Sequence, residues 1–128
     1  MRLLLDTHVV VWWLAGATQL PAHMGSLIKP KENEVYVSAA SCWEIGIKVR
    51  AGRWPEADHM VLGIVDHLAK ARLIVLSITA AHAERAALLE IAHKDPFDRL
   101  LAAQAMAEEL TLVSIDPVFA GVAGLAVV

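Results

Sequence analysis

Apolar positions along the chain fall in short runs whose period changes repeatedly. Residues 2–5 form a brief apolar run closed by Asp6, which predicts a buried strand. Residues 7–15 are apolar nearly all round, from Val9 to Leu14, and predict a helix. Asp6 or Thr7 can cap its start, and Gly16 stands where a left-handed C′ residue belongs. Residues 20–29 predict a short helix with Pro21 in its first turn, followed by a polar loop over 30–33. Residues 34–38 alternate and predict a second strand. Residues 38–51 have helical spacing, with Ala39, Cys42, Trp43, Ile45, Ile47 and Val49 as a wide apolar face and Gly52 at the end. After a loop at 53–55, residues 58–71 predict one helix with Met60, Val61, Ile64, Val65 and Leu68 inward. Residues 72–76 predict a strand, 79–92 an alanine-rich helix capped by Thr79, and 96–109 another helix. Residues 111–115 predict a further strand and 124–128 a last edge strand.

Strands alternating with helices predict a three-layer α/β/α sandwich on a mainly parallel sheet. Right-handed crossovers would bring the carboxyl ends of the strands to one edge, where open α/β sheets bind ligands. With 128 residues the chain is read as a single domain over 1–128, without repeats or linkers. A hydrophobic content of 57% predicts a large core and spare apolar surface for a partner. No stretch approaches the about 20 apolar residues of a membrane span, and the start lacks the features of a signal peptide. The expected setting is therefore cytoplasmic, with no membrane partner. Cys42 is the single cysteine, which excludes an internal disulfide and a cysteine zinc site and predicts a buried free thiol. A net charge of −3 argues against a general nucleic-acid-binding module but not against an enzyme acting on nucleic acid.

Candidate chemistry lies in acids at the ends of elements. Asp6 and Asp116 each close an apolar run, Asp95 and Asp98 open the segment 95–101, and Glu44 lies within the helix after the second strand. Helix capping explains much of this. Pro96 and Pro117 follow Asp95 and Asp116 as N1 prolines, and Asp98 stands three after Asp95; each cap is worth about 1 kcal/mol. A metal site is compatible with capping, because a helix N-terminus favours the ionised carboxylate that Mg²⁺ or Mn²⁺ requires. Capping does not explain Glu44, which either faces solvent or points at the strand edge where Asp6 ends. Gathered in one place, these acids would need a hard cation.

The six histidines, His8, His23, His59, His67, His82 and His93, show no metal-binding spacing. The glycine patterns of dinucleotide sites, P-loops and hydrolase elbows are absent. No second aspartate follows Asp6 two residues on, which weakens an aspartyl-phosphate phosphatase. A catalytically silent acidic-pocket module, such as a receiver-like domain, shares the strand-end aspartates but has no need of Glu44. A metal-dependent DNA nuclease remains open.

Four segments in order carry a resemblance: residues 4–8 (LLDTH), 37–48 (VSAASCWEIGIK), 95–105 (DPFDRLLAAQA) and 112–116 (LVSID). With these, the chain resembles the PIN-domain ribonucleases, and in particular the VapC-type toxins of bacterial type II toxin–antitoxin pairs. The resemblance runs almost end to end and implies a parallel sheet flanked by helices. On its motifs, Asp6, Glu44 and Asp98 match the family's acids, Asp95 is the neighbouring acid of the third motif, and Asp116 matches the last, more variable one. Ser114 replaces the threonine of many members and keeps a hydroxyl.

The activity implied is hydrolysis of RNA phosphodiesters with one or two Mg²⁺ or Mn²⁺ ions held by Asp6, Glu44, Asp98 and Asp116, with Asp95 a further candidate. The metal acidifies a water and neutralises phosphoryl charge, so products carry 5′-phosphate and 3′-hydroxyl ends. Thr7 and Ser114 are expected to steady a ligand carboxylate or a metal water. Arg99 is read as a phosphate contact or a structural ion pair. Lys48, Arg50, Arg53 and Lys94 are candidate RNA contacts or plain surface. Of the four tryptophans most are expected in the core, with Trp12 or Trp13 left for a dimer face or a partner helix. The resemblance implies a homodimer inhibited by a cognate antitoxin.

Overall fold

A computed structural model describes residues 1–91 and 94–128; Ala92 and His93, and with them the expected end of the helix over 79–92, lie outside the described residues. Four strands, β1 (Arg2–Leu5), β2 (Glu34–Ser38), β3 (Ile74–Leu76) and β4 (Thr111–Val113), form one sheet in the order β3-β2-β1-β4. Every pairing is parallel, with Leu4 opposite Tyr36 on one side and Leu112 on the other. The three-layer α/β/α sandwich follows from the period of two along these strands. Leu3, Leu5, Val35, Val37 and Val113 point into one core. Leu4 and Leu112 point into the other, where Leu101, Ala105 and Phe119 meet them. The central strand is therefore apolar on both faces, as its sequence requires.

Helices α1 (Thr7–Ala15), α2 (Ala22–Ile28), α3 (Ala39–Arg50) and α4 (Ile64–Lys70) pack with the first core. Helices α5 (Ala80–Leu88) and α6 (Pro96–Ala107) pack on each other, and α6 covers the second. Local chemistry explains their ends. Asp6 caps α1, whose other end closes on Gly16 in the left-handed region at φ 62°. Thr79 and His82 form a reciprocal capping box on α5.

The structure corrects several expectations. Residues 58–71 are not one helix: a 3₁₀ turn over Pro55–Met60 precedes α4, and Gly63 at φ 72° separates them. Val65 consequently faces solvent. Residues 124–128 make no strand of their own and instead lie beside β4 through a single bridge, Leu112 to Val127. On α3 the apolar face is also displaced. Trp43 (65% exposed) and Ile47 point outward, while Ala40, Ser41, Glu44 and Ile45 point in. Trp54 is the buried tryptophan, Trp12 and Trp13 are half-buried, and Cys42 is half-buried rather than enclosed, with burial raising its thiol pKa.

Candidate active site at the strand ends

The sheet order reverses at β1: β2 and β3 lie on one side of it and β4 on the other. This is the position at which open α/β sheets form a crevice beyond the strand ends. Asp6 is the first residue past β1, and Ser114 and Asp116 follow β4. The Asp6 amide donates to the Val113 carbonyl at 2.9 Å, continuing the ladder by one residue. Its side chain is held at both oxygens: Oδ1 accepts from the Thr7 amide at 2.7 Å and Oδ2 from the Ser114 hydroxyl at 2.6 Å. Ser114 Oγ in turn accepts from the Asp116 amide at 3.0 Å. One hydroxyl thus ties the acid after β1 to the turn that carries the acid after β4.

Asp6 is 5% exposed. Burial raises its pKa above the ordinary carboxylate value. The hydrogen bonds from Ser114 and Thr7 and the field of His8 pull the other way, while the negative charge of Glu44 adds to the rise. Glu44 is 4% exposed, on the inward face of α3. Lys48, one turn later, places Nζ 2.7 Å from Glu44 Oε2. Thr7 Oγ1 and Ser41 Oγ share a 2.9 Å hydrogen bond, which fixes the start of α1 against α3. The threonine hydroxyl is therefore engaged with Ser41, and it is the Thr7 amide that steadies Asp6.

Asp98 is half-buried at the third position of α6, and α6 packs on α3. Trp43 and Phe97, neighbours in sequence of Glu44 and Asp98, meet edge to face at 5.4 Å across these two helices. Asp95 caps α6 by accepting from the amides of Phe97 at 2.9 Å and Asp98 at 3.4 Å. Asp116 caps the 3₁₀ turn Pro117–Gly121 through the Val118 amide. Both acids thus perform the capping read from sequence. Among the described residues, no three His, Cys, Asp or Glu side chains stand together closely enough to hold one ion. What the fold does bring together is the pair Asp6 and Glu44, near enough for the charge of Glu44 to raise the pKa of Asp6. Two buried carboxylates with one ammonium, bonded to Glu44, leave negative charge over, and an all-oxygen donor set of this kind fits a hard divalent ion such as Mg²⁺ or Mn²⁺.

Arg99 occupies a different place from the phosphate contact considered for it. Its guanidinium donates to the carbonyls of Ala86, Ala87, Leu89 and Ile91, at 3.0, 3.3, 2.7 and 3.2 Å. It closes the carboxyl end of α5 against α6. Arg50, Arg53 and Lys94 are exposed. Sequence reasoning missed Ser41, and it missed the role of Lys48 towards Glu44, although Glu at i and Lys at i+4 is the spacing that brings such a pair together. It also passed over His8, whose ring lies 4.9 Å from Trp54 and 5.9 Å from Trp12.

Comparison with known proteins agrees with this fold. The family model of the PIN domain matches residues 3–125. The chain belongs to the PIN domain family. Solved structures share the fold of this PIN domain over nearly its whole length. The VapBC2 complex of Rickettsia felis, bound to a DNA fragment from its promoter, aligns with a TM-score of 0.72 at 22% identity, covering 100% of this chain and 98% of that one. A toxin–antitoxin complex from Klebsiella pneumoniae gives 0.67 at 22%, covering 98% and 94%. VapBC-1 from nontypeable Haemophilus influenzae gives 0.69 at 17%, covering 100% and 97%. No curated protein matches the chain. No helix among the described residues is long and apolar enough to cross a membrane.

Proposed function

We propose that this PIN domain is a Mg²⁺- or Mn²⁺-dependent endoribonuclease and acts as the toxin of a type II toxin–antitoxin pair. The observation that carries the reading is the buried pair Asp6 and Glu44 at the sheet reversal. Burying two carboxylates is costly and gives the fold nothing that apolar packing would not give more cheaply. Asp6 and Glu44 would hold one or two ions, with Asp98 and Asp116 as further ligands and Asp95 as a less direct one. A bound divalent ion supplies an acidified water and a counter-charge for the phosphoryl oxygens. The chain's part is to keep the carboxylates aimed. Ser114 and the Thr7 amide fix both oxygens of Asp6, and Ser41 locks α1 to α3 so that Glu44 keeps its place. No side chain need attack the phosphorus, and water as nucleophile leaves a 5′-phosphate.

The toxin role draws on the solved complexes of VapBC proteins that share this fold. A cognate antitoxin, a homodimer and a cytoplasmic setting belong to the same proposal. Trp43, Leu62, Val65 and Leu88, all more than half exposed, provide apolar surface for such partners. The test is incubation of the purified protein with structured RNA, single-stranded DNA and a small phosphodiester, in Mg²⁺ and in EDTA. RNA cut only in Mg²⁺, with 5′-phosphate ends, is expected. Cutting that persists in EDTA, or ends bearing a cyclic phosphate, would overturn the reading.

A further inference from the structure

Beside the acid pair lies an open pocket of about 320 Å³ that the hydrolytic scheme does not use. That volume is at the lower end of small-ligand sites, about 300–1,000 Å³. His8, Trp12, Lys48, Arg53, Trp54 and Glu56 line it. We propose that this pocket is a subsite for one nucleotide of single-stranded RNA next to the scissile phosphate, taking the base against His8 and Trp12 and a phosphate on Lys48 and Arg53. The identity of the ligand rests on the ribonuclease reading above.

Three observations point the same way. The first is aromatic. Trp54 is buried and forms the floor, and the exposed ring of His8 leans over it at 43° and over Trp12 at 56°. The tilted rings make a corner rather than a closed stack, and the rings open to a base are those of His8 and, in part, Trp12, with Trp54 backing His8 from below. Single-strand binding sites are built from such platforms combined with cations. The second is charge. Lys48 Nζ lies over the Trp54 ring at 5.3 Å, and Arg53 is exposed next to it in sequence. Glu56, the acid of the lining, is an acceptor that a base amine can satisfy.

The third observation is continuity with the acid pair. His8 is two residues beyond Asp6, and the Lys48 ammonium that overhangs Trp54 is the one bonded to Glu44. The pocket and the acid pair therefore share Lys48 as a wall, and a strand crossing Asp6 and Glu44 places its next nucleotide here. A base paired in a duplex keeps its faces in the stack and cannot enter.

The test is a fluorescence-polarisation titration of a labelled single-stranded RNA oligonucleotide in EDTA at low salt, where binding is read without cleavage. His8→Ala is expected to weaken binding about fivefold or more, the effect of losing one base-stacking partner. Arg53→Gln is expected to flatten the dependence of log K on log salt by about 0.7, one phosphate contact on a single strand. Both side chains are exposed, so thermal melting should be unchanged. Duplex RNA should bind the wild type more weakly. Wild-type affinity and salt slope in both variants would overturn the subsite, as would absence of measurable binding by the wild type. A polyglutamate peptide forms a further arm; loss of its binding in the variants with RNA binding intact would assign the pocket to a protein tail instead. Cleavage in Mg²⁺ is scored separately. A protein that binds RNA through these residues but never cuts it contradicts the nuclease reading and leaves the subsite standing, and the reverse result does the opposite.

Discussion

Lys48 Nζ lies 2.7 Å from Glu44 Oε2, one turn along α3, and the carboxylate it meets is almost wholly buried while the lysine is partly open to water. The pair balances one charge of the acid site, while Asp6 has hydrogen bonds but no ion pair among the described residues. Removing the lysine leaves Glu44 buried without a partner. Lys48→Met should therefore destabilise the metal-free protein by about 2 kcal/mol, less than the about 3–5 of a fully enclosed pair because solvent screens the lysine end. Urea unfolding in EDTA reads this. Added Mg²⁺ should restore more stability to the variant than to the wild type, since the ion then meets two unpaired carboxylates. An equal Mg²⁺ effect on both proteins would mean that Glu44 does not face the ion.

Asp6 gives a pH prediction with a definite sign. Its folded-state pKa is raised above 3.8, first by burial, so the folded protein holds this proton more tightly than the unfolded chain. The stabilising contribution is complete below the unfolded value and is lost as pH rises through the folded one. Asn cannot ionise and caps α1 about as well. Asp6→Asn should thus melt with the wild type at the acid end and above it near pH 7 in EDTA, by roughly 2–4 °C. The gap should open as pH climbs from about 4, the ordinary carboxylate range. The same variant should lose RNA cleavage. A melting difference that does not change with pH would remove repulsion and burial at Asp6 as its cause.

Ser114 stands between two groups that need it. Ser114→Ala leaves Asp6 Oδ2 without its donor and the Asp116 amide without its acceptor. A cost of about 1–3 kcal/mol is expected, with the Asp6 pKa moving further up. Ser114→Thr keeps the hydroxyl and should restore most of the stability. Denaturant unfolding of the two variants, together with the pH dependence described for Asp6, distinguishes loss of this hydrogen bond from a simple loss of packing.

Arg99 offers a control outside the chemistry. Lysine cannot reach the spread of carbonyls that the guanidinium fork reaches at the end of α5. Arg99→Lys should lower stability by about 1–3 kcal/mol while metal affinity stays at the wild-type value. A selective loss of RNA binding without a stability change would return Arg99 to a role at the phosphate.

The elements that sequence made most legible are those with two independent signals. β1 and α1 combine an apolar run with Asp6 and Gly16 as caps, and α6 combines Asp95, Pro96 and a helical period. A single signal, alternation, sufficed for β2 at Glu34–Ser38, but elsewhere a single signal misled. Counting apolar residues as inward misplaces part of the α3 face: Ile45 is inward, but the site turns Glu44 and Ser41 in and leaves Trp43 and Ile47 out. The helix over 58–71 fails because Gly63 takes a conformation that its apolar period does not reveal. Capping by Asp6, Asp95 and Asp116 was legible, and of the two placements left open for Glu44 the structure shows the inward one. Asp95 and Asp116 visibly cap, Asp6 and Glu44 pair, and the Thr7 to Ser41 contact has no sequence signature because it joins two helices.

The central claim is that Asp6 and Glu44 hold a divalent cation together. Titration of Mn²⁺ into the protein, followed by electron paramagnetic resonance of the free ion, measures it directly. The account predicts binding by the wild type and a loss of affinity of at least about tenfold in Asp6→Asn and in Glu44→Gln separately, more than removal of an outer partner costs. Equal Mn²⁺ affinity in all three proteins, or no binding by the wild type, would contradict it.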